Sequence, residues 1–210
     1  MKIVTYNVNG IRSAFSKGAE AWLAALDPDV ICLQEVKAMQ DQIKTQQLED
    51  LGYCAHWFSA QKKGYSGVAT FSKTPPDLVI KGIDIEAYDN EGRIIRTDFG
   101  NVTLFNCYFP SGTMGDLRQD FKMIFLEQFF DSITGFTDLK PHIVIAGDYN
   151  IAHREIDIHN PKGNKNTSGF LPEERAWMTK WFSSGFLDAF RIIKPDEVAY
   201  SWWSYRANAK

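Results

Sequence analysis
His142-Ile-Val-Ile-Ala-Gly-Asp148-Tyr-Asn150 is a β-branched apolar run that breaks abruptly into Gly-Asp-X-Asn. Such a run is how a buried strand delivers a carboxylate and an amide to the rim of a sheet. Residues two apart on a strand share a face, so Asp148 and Asn150 can reach one site. The carboxylate can bind a hard cation or take a proton from water, and the amide can donate to a phosphate oxygen. The competing reading is an ordinary strand-end turn, where Gly, Asp and Asn are common.

The bulk of the chain sets the frame for that strand. Its 210 residues suggest one large domain, able to bury roughly 70% of its unfolded surface. A net charge of −3 does not advertise nucleic-acid binding, which would have to rest on local basic patches or a bound cation. Cys32, Cys54 and Cys107 are odd in number, lie in apolar surroundings and lack metal spacing. They read as reduced, buried thiols of a cytoplasmic protein. No signal-peptide core opens the chain and no apolar run matches a membrane span.

Working outward, strands are predicted at 2–7, 30–35, 54–59, 66–72, 93–99, 102–109 and 142–148. Helices are predicted at 18–27, at 40–51 with Gly52 as stop, at 117–134, and from Pro172 to about 183. In the third of these, Phe121, Ile124, Phe125, Gln128, Phe129 and Ser132 are expected along one side. Residues 158–171 read as a polar loop. Mixed strands and helices, with strand pairs able to form hairpins, point to two packed sheets flanked by helices.

Other strand ends share the logic of the first. Asn7 ends strand one within Asn7-Val-Asn9-Gly10-Ile-Arg12. Glu35 ends the next buried strand within Leu-Gln34-Glu35-Val-Lys37, and Asn106-Cys-Tyr108-Phe-Pro110 ends a later one. Each alone is a commonplace: a solvated glutamate, a turn asparagine, a core tyrosine. Four oxygen-rich strand ends in one chain would, if they converge, form a metal–phosphate site at the mouth of a sandwich.

On these stretches the chain resembles the exonuclease III family of AP endonucleases, within the endonuclease/exonuclease/phosphatase superfamily. The matching runs continue through Gly64-Tyr-Ser-Gly-Val-Ala, Asp157-Ile-His-Asn-Pro-Lys-Gly-Asn164, Gly169-Phe-Leu-Pro-Glu-Glu-Arg175 and Phe186-Leu-Asp-Ala-Phe-Arg191 to Ser201-Trp-Trp-Ser-Tyr-Arg206. The resemblance implies a DNase I-like four-layer α/β sandwich, residues 1–210 forming a single domain. It also implies a Mg²⁺-dependent phosphodiesterase, with Mn²⁺ as a possible substitute. The expected partner is double-stranded DNA with abasic sites or 3′ ends, engaged by a monomer away from any membrane. It implies Glu35 as principal metal carboxylate with Asn7 beside it. Asp148 would orient or deprotonate water and approach the metal. Asn150 would hold that water or the phosphate and stand near the metal. Tyr108 would touch the scissile phosphate or the leaving oxygen. Asn164, Lys162 and Lys165 would contact DNA, as would Asn9 and Arg12. Trp202 falls where the family places an aromatic wall of the abasic pocket, a core tryptophan being the competing reading.

One departure stands out. The family continues into an Arg-Ile-Asp-Tyr-like strand and a terminal Ser-Asp-His motif, neither of which has a counterpart in these 210 residues. The expectation is therefore a sandwich with late strands missing and an impaired activity. None of His56, His142, His153 or His159 lies in a matching motif. Two other readings stay open: a superfamily phosphodiesterase or phosphatase acting on RNA or lipid headgroups, and a DNA-binding remnant without catalysis.

Overall fold
The computed structural model describes residues 1–136 and 142–202. The chain divides into two compact units, Met1–Phe109 with Asp131–Tyr149, and Pro110–Phe130 with Asn150–Lys210.

Among the described residues, the first unit holds every strand. Strand β1 (Ile3–Asn7) pairs in parallel with β2 (Val30–Gln34), which pairs antiparallel with β4 (Val68–Ser72), and β3 (Cys54–Phe58) closes the sheet against β4. In the second sheet β5 (Leu78–Lys81), β6 (Ile94–Phe99) and β7 (Val102–Tyr108) are antiparallel neighbours, and β8 (His142–Asp148) adds in parallel to β7. Both sheets are thus mixed, in the orders β1-β2-β4-β3 and β5-β6-β7-β8.

Strand β2 is buried throughout, and its alternation assigns two roles. Ile31 and Leu33 pack with Ala69 and Phe71 of β4 beneath three helices. These are α1 (Ile11–Ser16), α2 (Ala19–Leu26) and α3 (Gln46–Asp50), which contribute Ile11, Leu23 and Leu48. Val30 and Cys32 face the other way and pack with Leu104 of β7, between the sheets. Here the core carries amides as well as methyl groups. Asn106 Nδ2 donates to Ala69 O at 2.9 Å and Thr70 Oγ1 at 3.1 Å, and Gln34 Nε2 donates to Asn106 Oδ1 at 2.8 Å. Buried amides of this kind must be satisfied, and here each is bonded across the sandwich.

Several expectations are corrected. The predicted helix 40–51 is a 3-10 turn at Gln40–Gln42 followed by α3, because Ile43 turns extended to pack on the core and Glu20 caps the start of α3 through the Gln47 and Leu48 amides. Helix α1 was missed, although Ile11, Ala14 and Phe15 carry its spacing. The short strand β5 and helix α4 (Glu86–Asp89) were also missed. Cys32 and Cys107 are buried as expected, but Cys54 is only half-buried on edge strand β3.

The second unit contains most of α5 (Asp116–Thr134), whose last turn belongs to the first unit. Its buried positions are Lys122, Phe125, Leu126, Phe129 and Ile133, while Ile124 lies 57% exposed. The apolar face is therefore rotated from the one expected, since it turns around a buried lysine. The expected polar loop 158–171 holds a one-turn helix α6 (Pro161–Asn164), capped by Asn160, which accepts from the Gly163 amide at 3.2 Å. Helices α7 (Pro172–Ser183) and α8 (Ala189–Ile193) follow in the same unit. Trp181 is its aromatic hub, stacked on Trp177 and Phe186 and tilted against Phe129. No helix among the described residues is long and apolar enough to cross a membrane.

Candidate active site
Strands β1, β2 and β7–β8 end on the same rim of the first unit, and their last residues meet. Asn7 ends β1 and Asp148 ends β8, while Glu35 follows β2 directly. Asn7 Nδ2 donates to Glu35 Oε1 at 2.8 Å and to Asp148 Oδ2 at 2.7 Å. One amide thus bridges two carboxylates that are 113 residues apart in the chain. Asn7 Oδ1 in turn accepts the Asn9 amide at 3.0 Å, which fixes the orientation of the side chain.

The backbone behind these groups is held against its own preference. Glu35 and Lys37 adopt φ of +52° and +51°, which is unfavourable for residues with a Cβ. Four backbone bonds clamp the turn: Gly10 N to Glu35 O (2.7 Å), Ile11 N to Val36 O (3.0 Å), Val36 N to Gly67 O (3.1 Å) and Lys37 N to Ser66 O (2.9 Å). On β8, Gly147 has φ +142° and sits opposite Cys107, whose carbonyl would collide with any Cβ. Phe109 N then donates to Asp148 O at 2.8 Å, extending the parallel ladder to the rim.

Charge is balanced locally. Lys37 Nζ lies 2.8 Å from Glu35 Oε2 and also donates to Asn9 Oδ1. Burial pushes Glu35 up, but Lys37, Asn7 and the Tyr108 hydroxyl together hold it below the usual carboxylate range. Tyr108, 8% exposed, is pushed far up by burial and by the charges of Glu35 and Asp148, with Arg93 opposing them. It stays a neutral hydroxyl, able to donate.

Among the described residues no group of three or more His, Cys, Asp or Glu side chains forms a metal cluster. The oxygen donors that do converge are the two carboxylates, joined by Asn7 Nδ2 while Asn7 Oδ1 accepts the Asn9 amide. This suits a hard divalent cation that keeps several waters and needs only one or two protein carboxylates. The residues present therefore fit Mg²⁺.

Asn7, Glu35, Tyr108, Asp148 and Asn9 are brought together. Arg12 is exposed on α1. Asn106 turns inward to the sheet interface and does not join the rim. In the second unit Asn150 takes φ +51°, and its carbonyl accepts from the buried Lys122 at 2.8 Å. Lys162 and Lys165 are exposed, and Asn164 Nδ2 donates to the His159 and Asn160 carbonyls at 3.0 Å. Trp202 is 75% exposed, which removes the core reading, and residues 203–206 of its motif lie outside the described residues. Sequence reasoning missed Lys37 as the site's counter-charge, although it stands two residues beyond Glu35. It also missed Arg93 and the buried Lys122, whose amine pairs with Glu174 at 2.6 Å, and no local pattern announces these surroundings.

Comparison with known proteins agrees with this geometry. Residues 4–210 match the Endonuclease/Exonuclease/phosphatase family. The chain is 44% identical to an exodeoxyribonuclease of Bacillus subtilis (strain 168), covering 100% of this chain and 82% of that protein. Among solved structures, an AP endonuclease from Archaeoglobus fulgidus superposes with a TM-score of 0.91 at 32% identity, over 99% of this chain and 80% of that one. A 3′-5′ exonuclease from Neisseria meningitidis gives a TM-score of 0.91 at 27% identity, over 100% and 81%. The two mixed sheets with their helices are the DNase I-like sandwich of those enzymes. The chain belongs to the Endonuclease/Exonuclease/phosphatase family, as a hydrolytic nuclease of the exonuclease III and AP endonuclease type.

Proposed function
We propose that the chain is a Mg²⁺-dependent DNA repair nuclease that hydrolyses the phosphodiester 5′ to an abasic site. The single observation that carries this is the Asn7 amide bridging Glu35 and Asp148 at 2.8 and 2.7 Å. Two carboxylates aimed at one point repel a phosphodiester unless a cation joins them. Glu35 and Asn7 would hold Mg²⁺, with Asp148 beside it. Bound there, Mg²⁺ would offset phosphate charge and bring the pKa of water toward neutrality.

The other roles belong to the chain's own groups. Asp148 accepts the proton of the attacking water, which Asn150 helps to orient. Tyr108 donates its hydroxyl to the scissile phosphate or the departing oxygen, where negative charge grows. Asn9, Arg12, Lys162, Asn164, Lys165 and Trp202 contact the duplex. We read both units as one catalytic domain, since the family match runs across them, and the protein as a cytoplasmic monomer.

The test is incision of a duplex carrying one abasic analogue, in Mg²⁺ and in EDTA, with Asp148→Asn as control. Mg²⁺-dependent incision lost in the variant is expected. No incision by a cooperatively folded sample overturns the reading. A second activity, trimming of 3′ ends, is favoured by the likeness to the Neisseria 3′-5′ exonuclease. It predicts shortening of a recessed 3′ end under the same conditions.

A further inference from the structure
Arg93 is among the largest fully buried side chains of the protein, 1% exposed at the threshold of β6. A guanidinium withdrawn from water costs several kcal/mol unless its donors and charge are answered. Three of its donors have named partners. Nε donates to Glu91 Oε2 at 2.6 Å, Nη1 to the Tyr108 carbonyl at 2.8 Å, and Nη2 to the Tyr65 hydroxyl at 3.3 Å. The Arg93 carbonyl also accepts the Tyr108 amide at 2.8 Å. Arg93 therefore holds Tyr108 by both backbone polar groups. It does more than hold the backbone: its guanidinium carbon lies 4.9 Å from the centre of the Tyr108 ring. A cation against that ring favours any build-up of negative charge on the phenol oxygen.

An ion pair that merely closed the Glu91–Arg93 turn would need none of this. One carboxylate satisfies the charge, and the ring of a tyrosine on the active rim is not required. The charges of Glu35, bonded to the hydroxyl, and of Asp148 also act on that phenol. Both repel a growing negative charge at the phenol oxygen. Arg93 is the cation that opposes them.

We propose that Arg93 is a positioning residue for Tyr108, aiming the ring through its backbone and strengthening its hydroxyl as a hydrogen-bond donor to the phosphate. The inference rests on the catalytic role proposed for Tyr108. Through Nη2 the same guanidinium ties in Tyr65 of the Gly64-Tyr-Ser-Gly67 loop, which clamps the turn carrying Glu35. Arg93 thus joins two parts of the rim that the sequence separates widely.

The experiment is a double-mutant cycle on abasic-site incision with Arg93→Met, Tyr108→Phe and both together. Arg93→Met should lower kcat about tenfold with little change in KM, and should cost less than about twofold in the Tyr108→Phe background. Arg93→Lys, which keeps the charge but loses the fork, should recover part of kcat and guards against a failure to fold. Equal losses in both backgrounds overturn the proposal and leave Arg93 a structural ion pair. If Tyr108→Phe alone changes nothing, the role of Tyr108 falls instead. A readout without turnover covers an inactive sample: 3-fluorotyrosine placed at position 108 and followed by its ¹⁹F chemical shift at one neutral pH. The resonance should shift or broaden in Arg93→Met as the ring loses its cation and its backbone anchor, and an unchanged resonance overturns the proposal.

Discussion
Glu35 shows how one residue is placed against its own preferences and kept there. Its left-handed backbone is clamped where its carbonyl accepts the Gly10 amide and the next amide, of Val36, donates to the Gly67 carbonyl, and its charge is answered by Lys37, Asn7 and Tyr108. Its folded pKa is held below the ordinary value of about 4.3, so the linkage has a definite sign. The stabilisation is fully present above that ordinary value and is lost as pH falls through the lower folded one. Glu35→Gln should therefore be less stable than the parent near neutral pH, and the difference should shrink as pH is lowered toward about 3. Urea midpoints taken across that range check it, and a difference that does not change with pH contradicts it. Lys37→Met should act in the opposite sense on Glu35, raising its titration, since it removes a charge 2.8 Å away. Carboxylate NMR shifts of Glu35 would read this directly.

Strands deliver these residues, and the sandwich holds the strands in register. Gly147→Ala should cost about 2 kcal/mol or more, because φ +142° is hostile to a Cβ and the Cys107 carbonyl occupies its place. It should also displace Asp148, so incision should fall further than stability does, as paired melting and rate measurements will show. Asn106→Ala should cost about 1–3 kcal/mol in chemical denaturation by removing the buried bonds to the Ala69 carbonyl, Thr70 and Gln34, with the rim left in place. These two residues mark the limits of sequence reading. Strand β8 was legible to the residue because an apolar β-branched run ending in Gly-Asp is bounded on both sides. Helix α7 was legible because Pro172 opens it. Asn7, Glu35, Tyr108 and Asp148 could be named from strand ends and resemblance, but nothing local says that one amide joins two carboxylates. Asn106 belonged by its sequence to the oxygen-rich rim and by its structure to the interior, since alternation fixes a face only once the partner sheet is known. Helix α5 was found but rotated, because Lys122 is buried by its pairing with Glu174 at 2.6 Å and no periodicity of apolar residues can reveal that.

At the scale of the whole molecule, the proposed function requires a chain of net charge −3 to engage DNA through local cations rather than through its overall field. Binding to an abasic duplex should therefore weaken steeply between about 50 and 200 mM salt, with a slope set by a handful of phosphate contacts. Fluorescence anisotropy would measure it, and a flat response would argue against the duplex as partner. The three thiols supply an internal clock for the sandwich. Cys32 and Cys107 lie with no exposed surface, and burial pushes the Cys32 thiol up to about 12, whereas Cys54 is half-open at the sheet edge. An alkylating reagent should consume one thiol per chain promptly and the other two only when the sheets part. The slow phase, followed by mass spectrometry, would then time the opening of the fold itself without any label added to the protein.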